Sequence, residues 1–307
     1  MNLKLIDRVI ESYRSSLDEA DVARLEFFQG LWEEMDRWSG GPVSAASSYE
    51  LPSEEDIRSA WDEARPIFSF AAPKLDEKRF LAIFDNVRGY VVSHGGFPDE
   101  QCEELSGIDL AACLEKDSLD VAASCPEEFL NGLCDALIEK GYEKDLAYTA
   151  ALMAMLSLRV ELEPVARKLK QLLPDDGESV SHPLTCPVCG CAPALAKIGG
   201  ADSPTDGRGR TLYCEQCATT WDFERIRCAR CGTRNQSHLH YFHVEGDDAH
   251  RIATCDECGS YIRSVFVGDT LMPFSFEVEE VVTARLDAIA SDPRFHVESL
   301  KESVDES

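Results

Sequence analysis

The sequence predicts an N-terminal all-α domain, then a small β region that holds two tandem four-cysteine knuckle units, and then a last helix. Three observations lead to this fold class. Apolar residues recur at helical spacing up to about residue 175. Eight of the 13 cysteines fall in four CxxC pairs within residues 186–258. Around these pairs, β-branched and aromatic residues alternate over short runs, as they do in strands.

The first helices are predicted from two helix starts and the apolar stripes that follow them. Ser53 with Asp56 three residues later suggests a capped start. The apolar residues that follow share one face of a helix over residues 54–65. Asp76 opens the next helix, whose apolar stripe is followed by a Gly-Gly pair.

The later helices of this half include a buried one. An apolar face begins at Phe129, and Gly141 ends it as a C-cap would. Residues 145–159 are apolar nearly all round, which is typical of a central helix buried on most sides. Pro164 is expected to start a separate short basic helix that ends near Leu173. Usual helix and loop lengths predict about seven to nine helices in this half.

The composition changes after the helical half. Residues 174–177 form a turn-rich linker, and residues 239–244 and 261–267 read as strands separated by a Gly-Asp-Asp turn. A last helix is expected after Pro273, and the residues from about 291 onward are expected to fray. The predicted divisions are a helical domain over 1–175, a first metal unit over 181–226, a second over 227–267 and a C-terminal helix over 274–290.

The four CxxC pairs form a duplicated unit. The first and third pairs start 42 residues apart, and the second and fourth start 41 apart. The flanking residues repeat as well, since CPVCG resembles CARCG and YCEQCATTW resembles TCDECGSYI. The pairs are Cys186/Cys189, Cys214/Cys217, Cys228/Cys231 and Cys255/Cys258.

This spacing predicts two metal sites. A CxxC turn directs two thiolates to one point, and two such turns complete a tetrahedral four-sulfur site for zinc or iron. We expect the first two pairs to form one site and the last two the other, because each hairpin then closes its own site. Interleaved pairing would conflict with the duplication. Structural disulfides are the alternative, but paired cysteines without a secretory signal favour metal.

Five cysteines lie outside the pairs. Cys191, in CPVCGC, is interpreted as a small residue of the knuckle turn, with a reserve ligand or a redox-sensitive thiol as the alternative. The others are single cysteines of the helical half: Cys102, Cys113, Cys125 and Cys134. Cys134 lies within an apolar face, so core packing is the favoured interpretation.

Three other residue types stand near the predicted sites. His238 and His240 would share a strand face, as two ligands might, but four thiolates already satisfy each metal, so hydrogen bonding is favoured. Trp221 is expected to cover a metal site with apolar surface. Four arginines surround the junction of the two units: Arg225, Arg227, Arg230 and Arg234. They are interpreted as a solvated surface that balances thiolate charge or as a docking patch for an acidic or phosphate-bearing partner.

Charge and composition exclude several classes of function. The chain has 57 acidic and 30 basic residues and a net charge of −27 at pH 7. An anionic surface repels phosphate backbones, so no nucleic-acid partner is expected. The N-terminus lacks a secretory signal, and the longest uncharged stretch, residues 146–158, is too short to span a bilayer, so we expect a cytoplasmic protein without membrane insertion. No phosphate loop, nucleophile elbow or HExxH motif occurs, and closed four-thiolate sites leave no open metal position, so no catalysis is expected.

A long stretch of the chain carries a family resemblance. It runs from Cys186 to about Phe266 as CPVCG…LYCEQCATTWDFERIRCARCG…LHYFHVEGDDAHRIATCDECGSYIRSVF. This stretch closely resembles the FdhE family, the formate dehydrogenase accessory proteins, and the closing segment EVEEVVTARLDAIASDPRF is similar too. The Cys-x-x-Cys-x-x-x-Trp around Trp221 and the LHYF run are more specific than a general zinc-ribbon pattern. The helical half resembles the family in size and character.

The resemblance implies a cytoplasmic, non-catalytic accessory protein that active respiratory formate dehydrogenase requires. Such a protein would bind the catalytic subunit, which holds a molybdenum or tungsten cofactor, before export. The resemblance also implies two tandem rubredoxin-like or zinc-ribbon knuckle units, with iron at the eight matching cysteines and zinc as the alternative. Two other functions remain as alternatives. One-electron reduction of an iron form would favour a rubredoxin-type electron carrier, and salt-dependent DNA or RNA binding would favour a zinc-ribbon nucleic-acid-binding module.

Overall fold

The computed structural model of the protein describes residues 1–174, 182–200, 209–268 and 272–291. Its helices are α1 (Leu3–Tyr13), α2 (Glu19–Arg37), α3 (Glu54–Asp62), α4 (Glu77–His94), α5 (Asp99–Gly107), α6 (Ser118–Ser124), α7 (Pro126–Glu139), α8 (Lys144–Lys170), α9 (Phe276–Thr283) and α10 (Arg285–Ala290). Its strands are β1 (Leu195–Gly199), β2 (Arg210–Tyr213), β3 (Thr220–Phe223), β4 (Leu239–His243), β5 (His250–Cys255) and β6 (Tyr261–Val267).

Helix α8 is the centre of the helical half. Helices α2, α4, α5, α6 and α7 all pack against it. Its side chains are buried along most of its length, and Leu158 and Leu162 are fully buried. The facing side of α4 contributes Phe80, Ile83 and Phe84, which are also fully buried. The predicted central helix is therefore present, and burial on several sides explains why its sequence is apolar nearly all round.

The expected break at Pro164 is wrong. Proline lacks the N–H that would bond to the carbonyl four residues earlier, and this usually ends or kinks a helix. Here α8 continues through Pro164 to Lys170. Val160, on one side of the proline, and Val165 and Leu169, on the other, are all buried in the same core. Because packing orders both sides of the proline, the loss of one backbone hydrogen bond does not end the helix.

Helix starts follow local capping chemistry. The amide of Asp56 donates to Ser53 Oγ at 3.1 Å, and Ser53 Oγ donates to the Asp56 carboxylate at 2.7 Å. The amide of Arg79 donates to Asp76 Oδ1 at 2.8 Å. These bonds satisfy amides that have no partner inside the helix, as predicted from the residues themselves.

The six described strands form one sheet in the order β3-β2-β1-β6-β5-β4. All neighbours are antiparallel except β1 and β6, which run parallel, with Leu195 opposite Arg263. The first unit supplies β1, β2 and β3, and the second supplies β4, β5 and β6. Each unit is thus a three-stranded meander, and the two meanders join through the first strand of one and the last strand of the other.

The C-terminal part contains two short helices where one had been expected. The amide of Ala284 bonds to the carbonyl of Val281 at 3.3 Å, one residue closer than in an α-helix. The carbonyl of Glu280, which Ala284 would otherwise use, accepts a hydrogen bond from Arg263 of β6 at 2.8 Å. A side chain from the sheet therefore interrupts the helix between α9 and α10.

The predicted fold class is confirmed as a helical N-terminal part, a small sheet and two four-cysteine clusters in the C-terminal part. The linker expected at residues 174–177 and the frayed segment beyond 291 lie almost wholly outside the described residues. The four domain boundaries stay a prediction, because one sheet runs through both metal units.

Candidate metal centres

All four CxxC knuckles share one backbone pattern. In each, the amide of the first cysteine donates to the carbonyl five residues later, and the amide four residues later donates back to the first cysteine's carbonyl, at 2.8 to 3.1 Å. The residue four positions after the first cysteine has a positive φ in every case: Gly190, Ala218, Gly232 and Gly259. Three are glycine, which adopts this conformation without steric cost, and Ala218 is the exception.

Cys191 occupies the fifth position after the first cysteine of its knuckle. The equivalent residues in the other knuckles are Thr219, Thr233 and Ser260. Cys217 Sγ lies 3.1 Å from Thr219 Oγ1, so this position places its side chain against a cluster sulfur. The carbonyl of Cys191 accepts from Cys186 at 2.8 Å, and its thiol is partly buried. The structure thus places Cys191 in the knuckle turn, where the other three knuckles carry a hydroxyl.

The structure brings the eight predicted ligands together in two groups. Cys186, Cys189, Cys214 and Cys217 form the first cluster, and Cys228, Cys231, Cys255 and Cys258 form the second. Within each cluster the four sulfurs lie within 4.8 Å of one another. The grouping is sequential, so each unit of the duplication contributes one cluster.

The sulfur spacing suits a tetrahedral metal ion. Across the two knuckles of the first cluster, Cys189 and Cys214 Sγ lie 3.4 Å apart and Cys186 and Cys217 Sγ lie 3.5 Å apart. In the second cluster, Cys231 and Cys255 Sγ lie 3.7 Å apart and Cys228 and Cys258 Sγ lie 3.8 Å apart. Ligands at about 2.3 Å from a tetrahedral ion lie roughly 3.8 Å from each other. A disulfide would need about 2.05 Å, and all 13 cysteines are free thiols. Each group could therefore hold one metal ion, and the donor set accepts iron or zinc.

The two clusters differ in burial. All four cysteines of the first cluster are buried, at 0 to 2% exposure. In the second cluster Cys228 and Cys255 are buried, whereas Cys231 and Cys258 are exposed. Solvent and reagents therefore reach the second cluster directly but not the first. The sequence offers no sign of this difference, because the two units repeat the same spacing.

The first cluster is buried because its knuckles pack into the helical half. The amides of Ile67 and Phe68 donate to the carbonyls of Pro187 and Val188 at 2.9 and 2.8 Å. Val188 is fully buried in the same apolar core as the helices. Trp221 also lies in this core and donates from Nε1 to the carbonyl of Pro183 at 3.0 Å. That Trp221 covers a metal site stays a prediction.

Helix α8 contacts the other knuckle of the first cluster through polar groups. Arg159 donates to the carbonyl of Glu215, between Cys214 and Cys217, at 3.1 Å, and to Glu277 of α9 at 2.9 Å. Gln216 donates to the carbonyl of Met155 at 3.2 Å. Arg159 is buried, so its charge is balanced inside the protein by Glu163 and Glu277. The sequence gives no signal for this buried link, since an arginine in a helix usually faces solvent.

The histidines pair with acidic side chains. His240 Nε2 lies 3.0 Å from Asp256 Oδ2, within the second cluster's last knuckle, and His238 Nδ1 lies 3.6 Å from Glu257. His243 lies 3.3 Å from Asp248. The metal-ligand groups found among the described residues include none of these histidines.

The four arginines at the junction do not form one surface. Arg227 is buried and contacts Glu224 at 3.1 Å and the carbonyl of His182 at 2.8 Å, and Arg234 pairs with Glu224 at 2.7 Å. Arg225 and Arg230 are exposed. Of the four, only Arg225 and Arg230 are available to a partner without breaking an ion pair within the described residues.

A buried polar network ties the β region to both ends of the described chain. His250 of β5 lies between two carboxylates, with Nδ1 2.8 Å from Asp247 and Nε2 3.0 Å from Glu279 of α9. Tyr13 of α1 donates to Glu279 at 2.8 Å, and Arg285 pairs with Asp247. Burial disfavours charge on His250, but the hydrogen bonds and charges of Glu279 and Asp247 outweigh it, so the pKa of His250 is raised.

Comparison with known proteins identifies relatives. No family model matches the chain. "Protein FdhE homolog" of Shewanella baltica (strain OS185) is 32% identical over 116 residues, which cover 37% of this chain and 36% of that protein. "Protein FdhE homolog" of Aquifex aeolicus (strain VF5) is 31% identical over 110 residues, covering 36% and 38%. "Protein FdhE" of Escherichia coli O1:K1 / APEC is 33% identical over 84 residues, covering 26% and 25%.

The fold extends the likeness over nearly the whole chain. The crystal structure of the FdhE protein from Pseudomonas aeruginosa matches with a TM-score of 0.54 and 16% identity over 94% of this chain and 89% of that one. Together these matches show that the chain is similar to FdhE proteins, in part of its sequence and, at the level of the fold, over nearly its whole length. The sequence alignments span between a quarter and two fifths of the length of these FdhE relatives. No helix among the described residues is long and apolar enough to cross a membrane.

Proposed function

We propose that this protein is a cytoplasmic accessory protein for the maturation of respiratory formate dehydrogenase, which binds the enzyme's catalytic subunit before export and catalyses no reaction itself. The observation that carries the proposal is the pair of four-cysteine clusters in a chain similar to proteins named FdhE. Four thiolates fill the coordination of a tetrahedral ion and leave no open position for substrate.

The proposed cofactors are two metal ions per chain, bound by the eight cysteines of the two clusters. We favour rubredoxin-type iron, with zinc as the alternative. Elemental analysis of protein purified without oxygen tests this and should give two metal ions per chain. One metal ion or none in that preparation would contradict the proposal for the sites.

A gene deletion tests the maturation role. Deleting the gene should abolish respiratory formate dehydrogenase activity while the catalytic subunit is still made, and the intact gene should restore activity. Full formate dehydrogenase activity in the deletion strain would remove the maturation proposal. Immunodetection of the catalytic subunit in both strains separates loss of activity from loss of synthesis.

Direct binding of the protein to the catalytic subunit also tests the proposed function. We expect the surface at Arg225 and Arg230 to contribute, because both side chains are exposed at the junction of the two units. The double charge reversal R225E/R230E should weaken binding in a salt-sensitive way, since exposed charge contacts are screened over about 8–10 Å at ordinary ionic strength. The exposed Arg24 of α2 offers the control R24E, which should bind as the unmodified protein does.

A rubredoxin-type electron carrier is the second candidate function. The exposure of Cys231 and Cys258 favours it, because an electron partner could approach the second cluster closely. Reversible one-electron reduction of the iron-loaded protein, and transfer of that electron to formate dehydrogenase, would support this candidate. Equal function of the zinc-loaded protein in the deletion strain would exclude it, since zinc has no redox chemistry.

A further inference from the structure

A cavity of about 230 Å³ lies beside the second four-cysteine cluster. One side is apolar, with Leu239 and Tyr241 of β4, Ala253 of β5 and Ile262 of β6 among its lining residues. The lining also includes four arginines: Arg210, Arg225, Arg227 and Arg230. Of these, Arg227 is paired with Glu224 at 3.1 Å. Pockets for drug-sized ligands usually have about 300–1,000 Å³, so this cavity suits a single side chain or a chain end.

Arg210 is the unusual member of this lining. Its side chain is 3% exposed, and Nη1 donates to the carbonyl of Arg227 at 2.9 Å. Its Nε is buried and has no hydrogen-bond partner within residues 1–174, 182–200, 209–268 and 272–291. Arg210 also forms no ion pair with a carboxylate in the described part of the chain. A guanidinium is always protonated, so a buried one without a carboxylate is costly unless an anion pairs with it.

A metal-loaded second cluster would balance only part of this charge. Four thiolates around a divalent ion carry a net charge of about −2, against three arginine charges at the cavity besides that of Arg227, which is paired with Glu224. The cluster would also leave the Arg210 Nε donor unfilled, because that donor has no partner among the residues that the structure describes. An anion bound in the cavity would satisfy both the charge and the Nε donor.

Arg225 and Arg230 add two cations at the open side of the cavity. Arg230 Nε contacts the carbonyl of Tyr261 at 3.4 Å, and neither arginine forms an ion pair with a carboxylate among the residues that the structure describes. Acidic residues outnumber basic ones by 57 to 30 in this chain. Among the described residues, two exposed arginines without carboxylate partners therefore lie at the same cavity as a buried arginine without a carboxylate partner.

We propose that this cavity binds a carboxylate of a peptide, with the apolar part of the same peptide seated on the β4–β6 side. Arginine binds carboxylates through paired hydrogen bonds, and the apolar wall favours a ligand with an apolar body over a bare anion. The carboxylate belongs to an Asp or Glu side chain or to a chain terminus. The interpretation of this cavity as the place where a segment of a client protein binds rests on the proposed function.

Titration of short peptides into the metal-loaded, full-length protein tests the site without any formate dehydrogenase. The probes are N-acetyl-Leu-Glu-Leu-amide against its Gln counterpart, and N-acetyl-Leu-Leu with a free against an amidated C-terminus. Charge-assisted hydrogen bonds contribute roughly 1.5–3 kcal/mol, so at least one carboxylate peptide should bind about ten-fold or more tightly than its amide. Which pair shows the difference identifies the side chain or the terminus as the source.

Small anions and variants complete the test. Acetate and inorganic phosphate should bind more weakly than the carboxylate peptide, and equal binding of either, or of the amide peptides, would overturn the proposal. R210Q and R230Q should each remove most of the carboxylate preference, whereas R24Q should keep it. Because R210Q alters a buried residue, melting and metal content are measured alongside, and R230Q, at an exposed position, decides the matter if R210Q unfolds.

Loss of peptide binding with normal formate dehydrogenase maturation would reject the cavity proposal alone. Normal peptide binding in a protein that proves unnecessary for formate dehydrogenase would reject the proposed function and leave the cavity proposal in place.

Discussion

Loss of the first cluster should disturb the helical half, whereas loss of the second should not. The matched perturbations are the double substitutions C186S/C189S and C228S/C231S, each of which removes one CxxC pair from one cluster. Serine keeps the size of the side chain but does not replace a thiolate as a soft-metal ligand. The two variants thus remove the same chemistry from a buried and from a half-exposed site.

The expected magnitude follows from the contacts between the first cluster's knuckles and the helices. Among the described residues, four hydrogen bonds join these knuckles to the helical half. Ile67, Phe68 and Arg159 of the helical half donate to knuckle carbonyls. Gln216 of the knuckle donates to a carbonyl of α8. At about 1 kcal/mol each, with about 2 kcal/mol for burial of Val188, they contribute about 6 kcal/mol. A typical domain is stable by only about 5–15 kcal/mol, so the loss is large.

Hydrogen exchange at the amides of Ile67 and Phe68 reports on this boundary directly, because their acceptors are knuckle carbonyls. In C186S/C189S their exchange should accelerate by up to roughly 10⁴-fold, the equivalent of about 6 kcal/mol. In C228S/C231S it should stay as in the unmodified protein. Native protection of both amides in C186S/C189S would refute the reasoning, since it would mean that the first knuckle keeps its structure without four ligands.

Three other predictions rest on single features. A thiol-modifying reagent, with a chelator to bind the released metal, should remove metal in two phases. The faster phase should come from the second cluster because Cys231 and Cys258 are exposed, and C228S/C231S should lose it. A single uniform phase would contradict this prediction. The pKa of His250 is raised in the folded protein, so its protonated form stabilises the fold. This stabilisation is fully present below about pH 6.5, the pKa of histidine in the unfolded chain. It is lost as the pH rises through the higher pKa of the folded state. Urea unfolding between pH 5.5 and 8.5 should therefore show stability falling with pH more steeply in the unmodified protein than in H250Q, and parallel profiles would show that the histidine is not the cause. S53A should lower the free energy of unfolding by about 1 kcal/mol through loss of the helix cap. The control S106A, at an exposed site inside α5, should change the free energy of unfolding by less than about 0.5 kcal/mol. Equal losses in the two variants would mean that the loss in S53A does not come from the cap.

The local features of this protein could be predicted from sequence. Each CxxC knuckle closes its hydrogen bonds within six residues, so the spacing of the cysteines is enough to predict the turn and the grouping of the sulfurs. Ser53 caps its helix through a residue three positions away. Such features depend only on residues that are close together in the sequence, so the sequence is enough to predict them.

Features that depend on distant residues could not be predicted in this way. Pro164 was expected to start a new helix, yet packing on both sides carries α8 through it. The expected single C-terminal helix is interrupted by Arg263, which comes from a strand in the sheet. Arg227 was grouped with exposed arginines, but the fold buries it against Glu224.

Two four-cysteine units after a helical half are predictable from the amino-acid order, because residue spacing and turn chemistry are local. Long-range packing, by contrast, buries one cluster among helices and leaves the other half-exposed beside an arginine-lined cavity. Burial is a property of what packs around a residue, and here the packing partners of each knuckle lie far away in the chain. Two nearly identical sequence units therefore acquire different surroundings, and with them different expected exposure to solvent and partners.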